Sequence, residues 1–147
     1  MKRRYFLSLT GISVSALLFT HKCSKNDINE QIQKLSQLQD DYILSYNNGE
    51  LEKLSDFYNI NCTYISDSIS GDYEIALRTL NILYKYHSRN NYLPLKIKNR
   101  KVSIQGSIGW ISFELASNLN NSKHGYGTQI FQKVNLDWQI IHDHFSS

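Results

Sequence analysis

The sequence predicts an α+β fold in which three N-terminal helices pack on one face of a strongly bent antiparallel sheet. Apolar residues recur every three or four positions up to about Tyr86 and every second position after Pro94, an order that indicates helices first and strands last. A length of 147 residues suits one folded domain. A hydrophobic content of 41% with a single proline excludes a disordered or collagen-like chain.

The charge and cysteine content exclude two classes of protein. Residues 1–23 carry four of the 16 basic side chains and no acidic one, so the remainder carries 12 basic and 13 acidic side chains. This near-neutral body lacks the basic surface that a nucleic-acid-binding protein needs. Cys62 is the one cysteine after Cys23, which excludes a disulfide within the domain and a cysteine metal cluster.

The first 23 residues are predicted to be an export signal or N-terminal anchor, and residues 24–147 the domain. The basic residues 2–4 precede uncharged residues 5–20, whose apolar run ISVSALLF is short for a membrane-spanning helix. Residues 3–7, RRYFL, resemble the core of bacterial twin-arginine signals. We therefore expect export across the bacterial cytoplasmic membrane, with membrane contact only through this segment. An ordinary secretory signal, an uncleaved anchor, a non-signal helix and a lipid anchor on Cys23 stay open as alternatives.

Three helices are predicted from apolar spacing and capping residues. Helix one begins after Asn26 and carries an apolar stripe of Ile28, Ile32, Leu35, Leu38, Tyr42 and Tyr46. Residues 47–49, Asn-Asn-Gly, stop it because they tolerate a left-handed backbone. A short helix follows over residues 50–58. Asp72 caps a third helix that runs to about Tyr86.

The strands are predicted from alternating apolar residues. A short strand over residues 62–65 lies between helices two and three, with Gly71 as a turn. From Leu93 onward the alternating positions are Leu93, Leu95, Ile97, Val102, Ile104, Ile111, Phe113 and Leu115, with Gly106 as a turn. Residues 118–127 form a polar loop. Two final strands contain residues 128–132 and 138–144.

The chain resembles the nuclear-transport-factor-2-like superfamily, in particular its SnoaL-like and calcium/calmodulin-dependent kinase association-domain branches. The resemblance covers residues 27–146. Its most specific parts are NNGELEKL at residues 47–54, GTQIF at residues 127–131, and Trp138, His142, His144 and Ser146 in the last strand.

This resemblance implies a conical half-barrel. Its concave face, closed by the helices, forms a pocket, and the other face of the sheet often makes a dimer. Members include isomerases, cyclases, dehydratases and non-catalytic binding or association modules, so the fold does not settle the function.

The two histidines near the C-terminus are candidate pocket residues. His142 and His144 lie two apart on a strand and are expected to share a face with Trp138 and Ile140, while Asp143 points to the opposite face. They suit anion binding, proton transfer or a structural hydrogen-bonded role. We expect no metal, because a third ligand is not evident. His87 and His124 are expected to be surface or cap residues.

Aromatic residues supply the rest of the expected pocket. Tyr42, Tyr46 and Trp138 offer rigid surfaces with polar groups that suit a pocket, although aromatic residues in this pattern more often form an ordinary core. The ketosteroid-isomerase branch of the superfamily implies Tyr42 as a donor and Asp67 as a catalytic acid. Gln129 stands where the kinase-association branch commonly carries a pocket arginine. Carboxylate binding would then rest on His142 and His144, and on the cations Arg78 or Arg100. Cys62 is expected to be an inert core thiol.

These observations predict an exported module that binds a small ligand or another protein and is more consistent with a non-catalytic role. The expected ligand is a small molecule that is partly apolar or carries a carboxylate. We expect no cofactor, and we expect the protein to form a homodimer. The ligand-binding candidates are Tyr42, Tyr46, Gln129, Trp138, His142 and His144. A second hypothesis is a small isomerase or dehydratase that transfers a proton on a hydrophobic substrate, with His142 or Asp67 as the base and Tyr42 as the donor. A third is a scaffold whose pocket is filled.

Overall fold

A computed structural model gives the fold and describes residues 25–117 and 123–146. The predicted export signal, the twin-arginine resemblance and the lipid anchor on Cys23 lie outside these residues. Within the described ranges, no helix has both the length and the apolar character that crossing a membrane requires.

The helices follow the predicted order. Helix α1 spans Lys25–Asn47, α2 spans Leu51–Leu54 and continues as a 3-10 turn over Ser55–Phe57, and α3 spans Tyr73–Arg89. Gly49, at φ +72°, ends α1 in the left-handed conformation that glycine adopts without strain. The Asp72 side chain accepts a hydrogen bond from the Ile75 amide and so caps α3. The second helix is shorter than predicted because Tyr58 already begins a strand.

Six strands form one open sheet. They are β1 (Tyr58–Ser66), β2 (Ile69–Gly71), β3 (Lys96–Gln105), β4 (Ile108–Ala116), β5 (Lys123–Val134) and β6 (Asp137–Ser146), in the spatial order β2-β1-β6-β5-β4-β3. The α+β fold class is confirmed, with one difference: β1 runs parallel to β6, so the sheet is mixed. The predicted polar loop is also shorter than expected, because β5 begins at Lys123.

The core lies between the helices and the inner face of the sheet. Its largest fully buried apolar side chains come from α1, α2 and four strands: Leu35, Tyr42, Leu54, Tyr64, Ile111, Phe131 and Ile140. The inner face also needs one glycine. A Cβ atom on Gly127 would lie 2.3 Å from Phe113 Cζ, so only glycine lets that ring cross β5.

A β-bulge in β6 decides which side chains face inward. Phe131 pairs with Ile140 and Ile130 pairs with His142, which leaves Ile141 without a partner on β5. The extra residue reverses the alternation. Residues 138 and 140 face inward before the bulge, and residues 143 and 145 face inward after it. The expectation that His142 and His144 share a face with Trp138 and Ile140 is therefore wrong.

Candidate functional site

A cavity lies between α1, α3 and the inner face of the sheet. Its volume is about 100 Å³. Helix α1 contributes Tyr42, Ile43 and Tyr46, and the other elements contribute Ser66, Asp67, Leu80, Leu83, His87, Leu95, Leu115, Gly125, Tyr126, Phe145 and Ser146. The walls are mainly aliphatic and aromatic, with a few polar groups, which is the usual composition of a small-molecule site.

One polar pair in the wall joins α1 to α3. The Tyr46 hydroxyl and His87 Nδ1 lie 2.7 Å apart, and the two rings meet edge to face. Edge-to-face contacts with Tyr86 and Tyr92 also hold the imidazole in place. The expectation that His87 is a surface or cap residue is wrong, because the end of α3 turns its ring into the cavity wall. His124 lies in β5 rather than in a loop.

A buried chain of hydrogen bonds starts at Tyr42, which also lines the cavity. The hydroxyls of Tyr42 and Tyr58 are 2.9 Å apart, and the Tyr58 hydroxyl bonds to the Asp143 carboxylate. This chain crosses from α1 through β1 to β6. If Asp143 is protonated it can donate along the chain towards Tyr42, and if it is ionised it can only accept.

The hydrogen-bonded chain ends at a buried carboxyl group, that of Asp143. Its side chain is completely buried. Burial raises the pKa of Asp143 to about 7, although the hydrogen bond from Tyr58 acts in the opposite direction. The same burial raises the pKa of Tyr42 and of Tyr58 well above the ordinary value for a phenol. A carboxyl group that gains and loses its proton near neutral pH is typical of functional sites.

Gln129 lies beside this carboxyl group and not in the cavity wall. It pairs with Asp143 across β5 and β6, and its Oε1 accepts a hydrogen bond of 3.0 Å from Gln39 Nε2. Both glutamines are fully buried. The predicted ligand-binding residue Gln129 is thus part of a buried polar group with Gln39 and Asp143 and does not line the cavity.

Some of the other predicted site residues line the cavity, and others lie elsewhere in the molecule. Tyr42, Tyr46 and Asp67 line the cavity together. Trp138 instead lines a separate groove with Leu38, Phe57 and Leu136. The sequence pattern placed Trp138 correctly on the inner face, but at a different position along the sheet.

His142 and His144 lie on the outer face of the sheet. His142 Nδ1 is 2.6 Å from the exposed Thr63 hydroxyl, and His144 pairs with exposed Ile65 on β1. Neither imidazole lines the cavity. The bulge at Ile141 is the physical reason, because it turns Asp143 inward and both neighbouring histidines outward.

The cations expected to bind a carboxylate are also elsewhere. Arg100 forms an ion pair with Asp40 on α1, and Arg78 is exposed on α3. Cys62 is buried, and burial raises the pKa of its thiol to about 11, which favours the unreactive protonated form. Within the described residues, no group of three or more His, Cys, Asp or Glu side chains could hold a metal ion.

Sequence reasoning missed three residues: Tyr58, His87 and Asp143. Tyr58 was assigned to the end of a helix, although aromatic and β-branched residues from position 57 onward also favour a strand. No periodic pattern in the sequence predicts the bulge that turns Asp143 inward. Composition gives no signal for this inward position, because aspartate is seldom fully buried and its residue type favours the outer face.

Comparison with known proteins agrees with this architecture. A family model for the SnoaL-like domain matches residues 35–147. No curated protein matches the chain.

Solved structures show the same fold at low sequence identity. An NTF2-like protein of unknown function from Pseudomonas putida aligns with a TM-score of 0.65 and 11% identity, covering 81% of this chain and 87% of its own. A candidate dehydratase of the NTF2-like family from Streptomyces avermitilis aligns with a TM-score of 0.62 and 12% identity, and the alignment covers 80% of this chain and 96% of the dehydratase chain. A candidate calcium/calmodulin-dependent protein kinase II association domain from Xanthomonas campestris aligns with a TM-score of 0.57 and 17% identity. This alignment covers 77% of this chain and 84% of the association-domain chain.

The raised pKa of Asp143 predicts a pH-dependent stability. An unfolded aspartate has a pKa of about 3.9, so between that pH and about 7 the folded state binds the extra proton. The free energy of unfolding should therefore fall as pH rises through this interval, by up to about 1.4 kcal/mol per pH unit. Asp143→Asn should remove this decrease of the free energy of unfolding with pH, as measured by urea unfolding from pH 4 to pH 8.

The matched control is Asp137→Asn, at the exposed start of the same strand. It should retain the wild-type slope. An Asp143→Asn protein whose stability follows pH as the wild type does would show that Asp143 does not titrate in this range.

Proposed function

The chain belongs to the SnoaL-like domain family of the nuclear-transport-factor-2-like superfamily, and on that premise we propose that it is a ligand-binding domain. The ligand is a small, partly apolar molecule held in the cavity between α1, α3 and the inner face of the sheet. The main support is the cavity itself, which combines aliphatic walls with the Tyr46 and His87 pair.

The cavity volume bounds the size of this ligand. Small-molecule sites commonly measure ~300 to 1,000 Å³, and an apolar cavity of ~150 Å³ can take benzene. At about 100 Å³, the present cavity accepts a short aliphatic chain or part of one ring. A larger ligand would extend past Asp67 and Tyr126, which are exposed members of the lining.

Filling the cavity should abolish ligand retention. In native mass spectrometry the purified protein should carry an additional small mass. Leu83→Trp should remove that mass because the larger ring occupies the cavity. The control Ile82→Trp changes the neighbouring residue of α3, which is 59% exposed, and should retain the mass.

Leu83→Phe provides a smaller change in case the tryptophan variant does not fold. Circular dichroism confirms that each variant is folded. Retention of the same mass by a folded Leu83→Trp protein would place the ligand elsewhere and overturn the proposal.

A second candidate function is proton-transfer catalysis in the same cavity. The observation that favours it is the chain from Asp143 through Tyr58 to Tyr42, in which a carboxyl group with a pKa near 7 connects to a residue of the cavity wall. Tyr42 would protonate a substrate oxygen, and Asp143 would replace the proton through Tyr58. Asp67 or His87 would accept a proton from carbon. The structural neighbours described as candidate dehydratases agree with such chemistry without establishing it.

This alternative predicts exchange of carbon-bound hydrogen in a small ketone. With 2-butanone in deuterated buffer, NMR should detect deuterium at the carbon next to the carbonyl faster with the protein than without it. Asp143→Asn should remove most of the difference, whereas Asp137→Asn should not. Exchange at the buffer rate with the wild-type protein would contradict the catalytic alternative.

We also propose that two copies pair through the outer face of the sheet. Trp110 is 40% exposed and Ile65 is 39% exposed on this face, where Ile130, His142 and Thr63 form a row across β5, β6 and β1. A two-fold axis would place each apolar side chain against a second apolar patch.

The same native mass spectra test this pairing. The main species should have about twice the mass of the 17.1 kDa chain, and Trp110→Lys should shift it to the monomer by placing a charge at the interface. Leu136→Lys, on the exposed turn between β5 and β6, should leave the dimer intact. A wild-type monomer at micromolar concentration would exclude a stable pairing.

A further inference from the structure

The two oxygens of the Asp143 carboxyl group have different neighbours. Oδ2 bonds to the Tyr58 hydroxyl. The other oxygen, Oδ1, is buried, and within the described residues it has no hydrogen bond of ordinary geometry. Gln129 is the cross-strand partner of Asp143, and its Nε2 is likewise buried and without such a bond. A buried donor and a buried acceptor on paired residues satisfy each other, since each costs stability when it is left unpaired.

The second neighbour of Gln129 determines how its amide group is oriented. Gln39 Nε2 donates to Gln129 Oε1 over 3.0 Å, and both side chains are fully buried. Because the carbonyl oxygen of Gln129 is turned towards Gln39, its NH2 group is the end that is left for Asp143. The Gln129 amide lowers the pKa of Asp143, against the larger effect of burial, as a donor to an ionised carboxylate does.

A donor beside Oδ1 restricts the position of the Asp143 proton. A neutral carboxyl group has one O–H group, and a proton on Oδ1 would point at the N–H group of Gln129. A proton on Oδ2 points at the Tyr58 hydroxyl oxygen, which can accept it. Tyr58 can then donate to the Tyr42 hydroxyl, 2.9 Å away, so that every donor in this direction has an acceptor.

From this arrangement we infer that Gln129, oriented by Gln39, is a positioning residue that places the Asp143 proton on Oδ2, at the start of the hydrogen-bonded chain that leads to the cavity wall. When Asp143 loses that proton, Tyr58 donates to Oδ2 and Tyr42 can donate to Tyr58, so both hydroxyl groups reverse. Delivery of the proton to the cavity rests on the proton-transfer alternative proposed above. The position of the proton does not.

The other titratable groups around Asp143 keep their charge state near neutral pH. Those that interact electrostatically with it in the described residues are Tyr42 on α1 and Tyr58, Cys62 and Tyr64 on β1. Burial raises the pKa of Cys62 to about 11 and that of Tyr64 to about 12, and it raises the pKa of the other two tyrosines well above the ordinary value. A titration near pH 7 at the Asp143 carboxyl carbon therefore reports on Asp143 itself.

Gln129→Met tests the donor by the sign of its effect. The variant keeps a side chain of similar length and removes the amide, so the ionised form of Asp143 loses a hydrogen bond. The measured pKa of Asp143 should rise by about one pH unit, as read from carbon-13 NMR of the aspartate carboxyl carbons. The signal that Asp143→Asn removes identifies Asp143. The control Gln132→Met changes an exposed glutamine of the same strand and should leave this pKa unchanged.

A neutron crystal structure of the wild-type protein at pH 5.5 locates the proton without depending on the folding of a variant. We expect deuterium on Asp143 Oδ2 and the ND2 group of Gln129 facing Oδ1. Deuterium on Oδ1, bonded to Gln129 Oε1, would overturn the inference. A pKa of Asp143 that falls or stays unchanged in a folded Gln129→Met protein would overturn it as well, because the amide would then not donate to the carboxylate.

Failure of this inference and failure of the proton-transfer function give different results. If the wild-type protein does not accelerate deuterium exchange in 2-butanone but the neutron and NMR results are as expected, the catalytic function fails and the position of the proton stands. If the wild-type protein accelerates exchange but the deuterium lies on Oδ1, the catalytic function stands and the role of Gln129 is wrong.

Discussion

The hydrogen-bonded chain of Tyr42, Tyr58 and Asp143 fixes α1 against two strands that are far apart in sequence. Tyr42 belongs to α1, Tyr58 starts β1, and Asp143 lies near the end of β6. A buried carboxyl group needs hydrogen-bond partners, so this contact holds the helix at one position over the sheet. The cavity occupies the space beside this position, between Tyr42 and α3. The hydrogen bond to Tyr58 therefore fixes the position of Tyr42 in the cavity wall.

The residues that the sequence placed correctly are those whose position depends on a regular repeat. The apolar stripe of α1 predicted that Tyr42 and Tyr46 face the core, and the Asp72 cap predicted the start of α3. The C-terminal strand departs from its repeat at Ile141, and an insertion of one residue in a strand reverses every following side chain. His142 and His144 were therefore assigned to the pocket, and Asp143, their neighbour, was assigned to the opposite face. No local pattern in WQIIHDHF distinguishes the two registers, because both place large side chains on each face.

Family membership and cavity chemistry answer different questions. The SnoaL-like domain match establishes the family, and structural neighbours with 11% to 17% identity establish the fold alone. The cavity supplies the functional argument, because it combines leucine side chains, a tyrosine and histidine pair and the Asp67 carboxylate. A scaffold with a vestigial pocket would need these side chains to fill the space completely. Ligand binding and proton-transfer catalysis both require an open cavity. The two functions differ in whether Asp143 exchanges its proton with the bound molecule.

Both functions thus depend on a cavity that side chains do not fill, and xenon binding tests this most directly. Xenon enters apolar cavities without requiring a particular chemical group. In a crystal of the protein pressurised with xenon, we expect an anomalous scattering peak among Leu80, Leu83 and Leu95. A crystal structure without xenon at this position, in which those three side chains close together, would contradict the account and favour a filled scaffold.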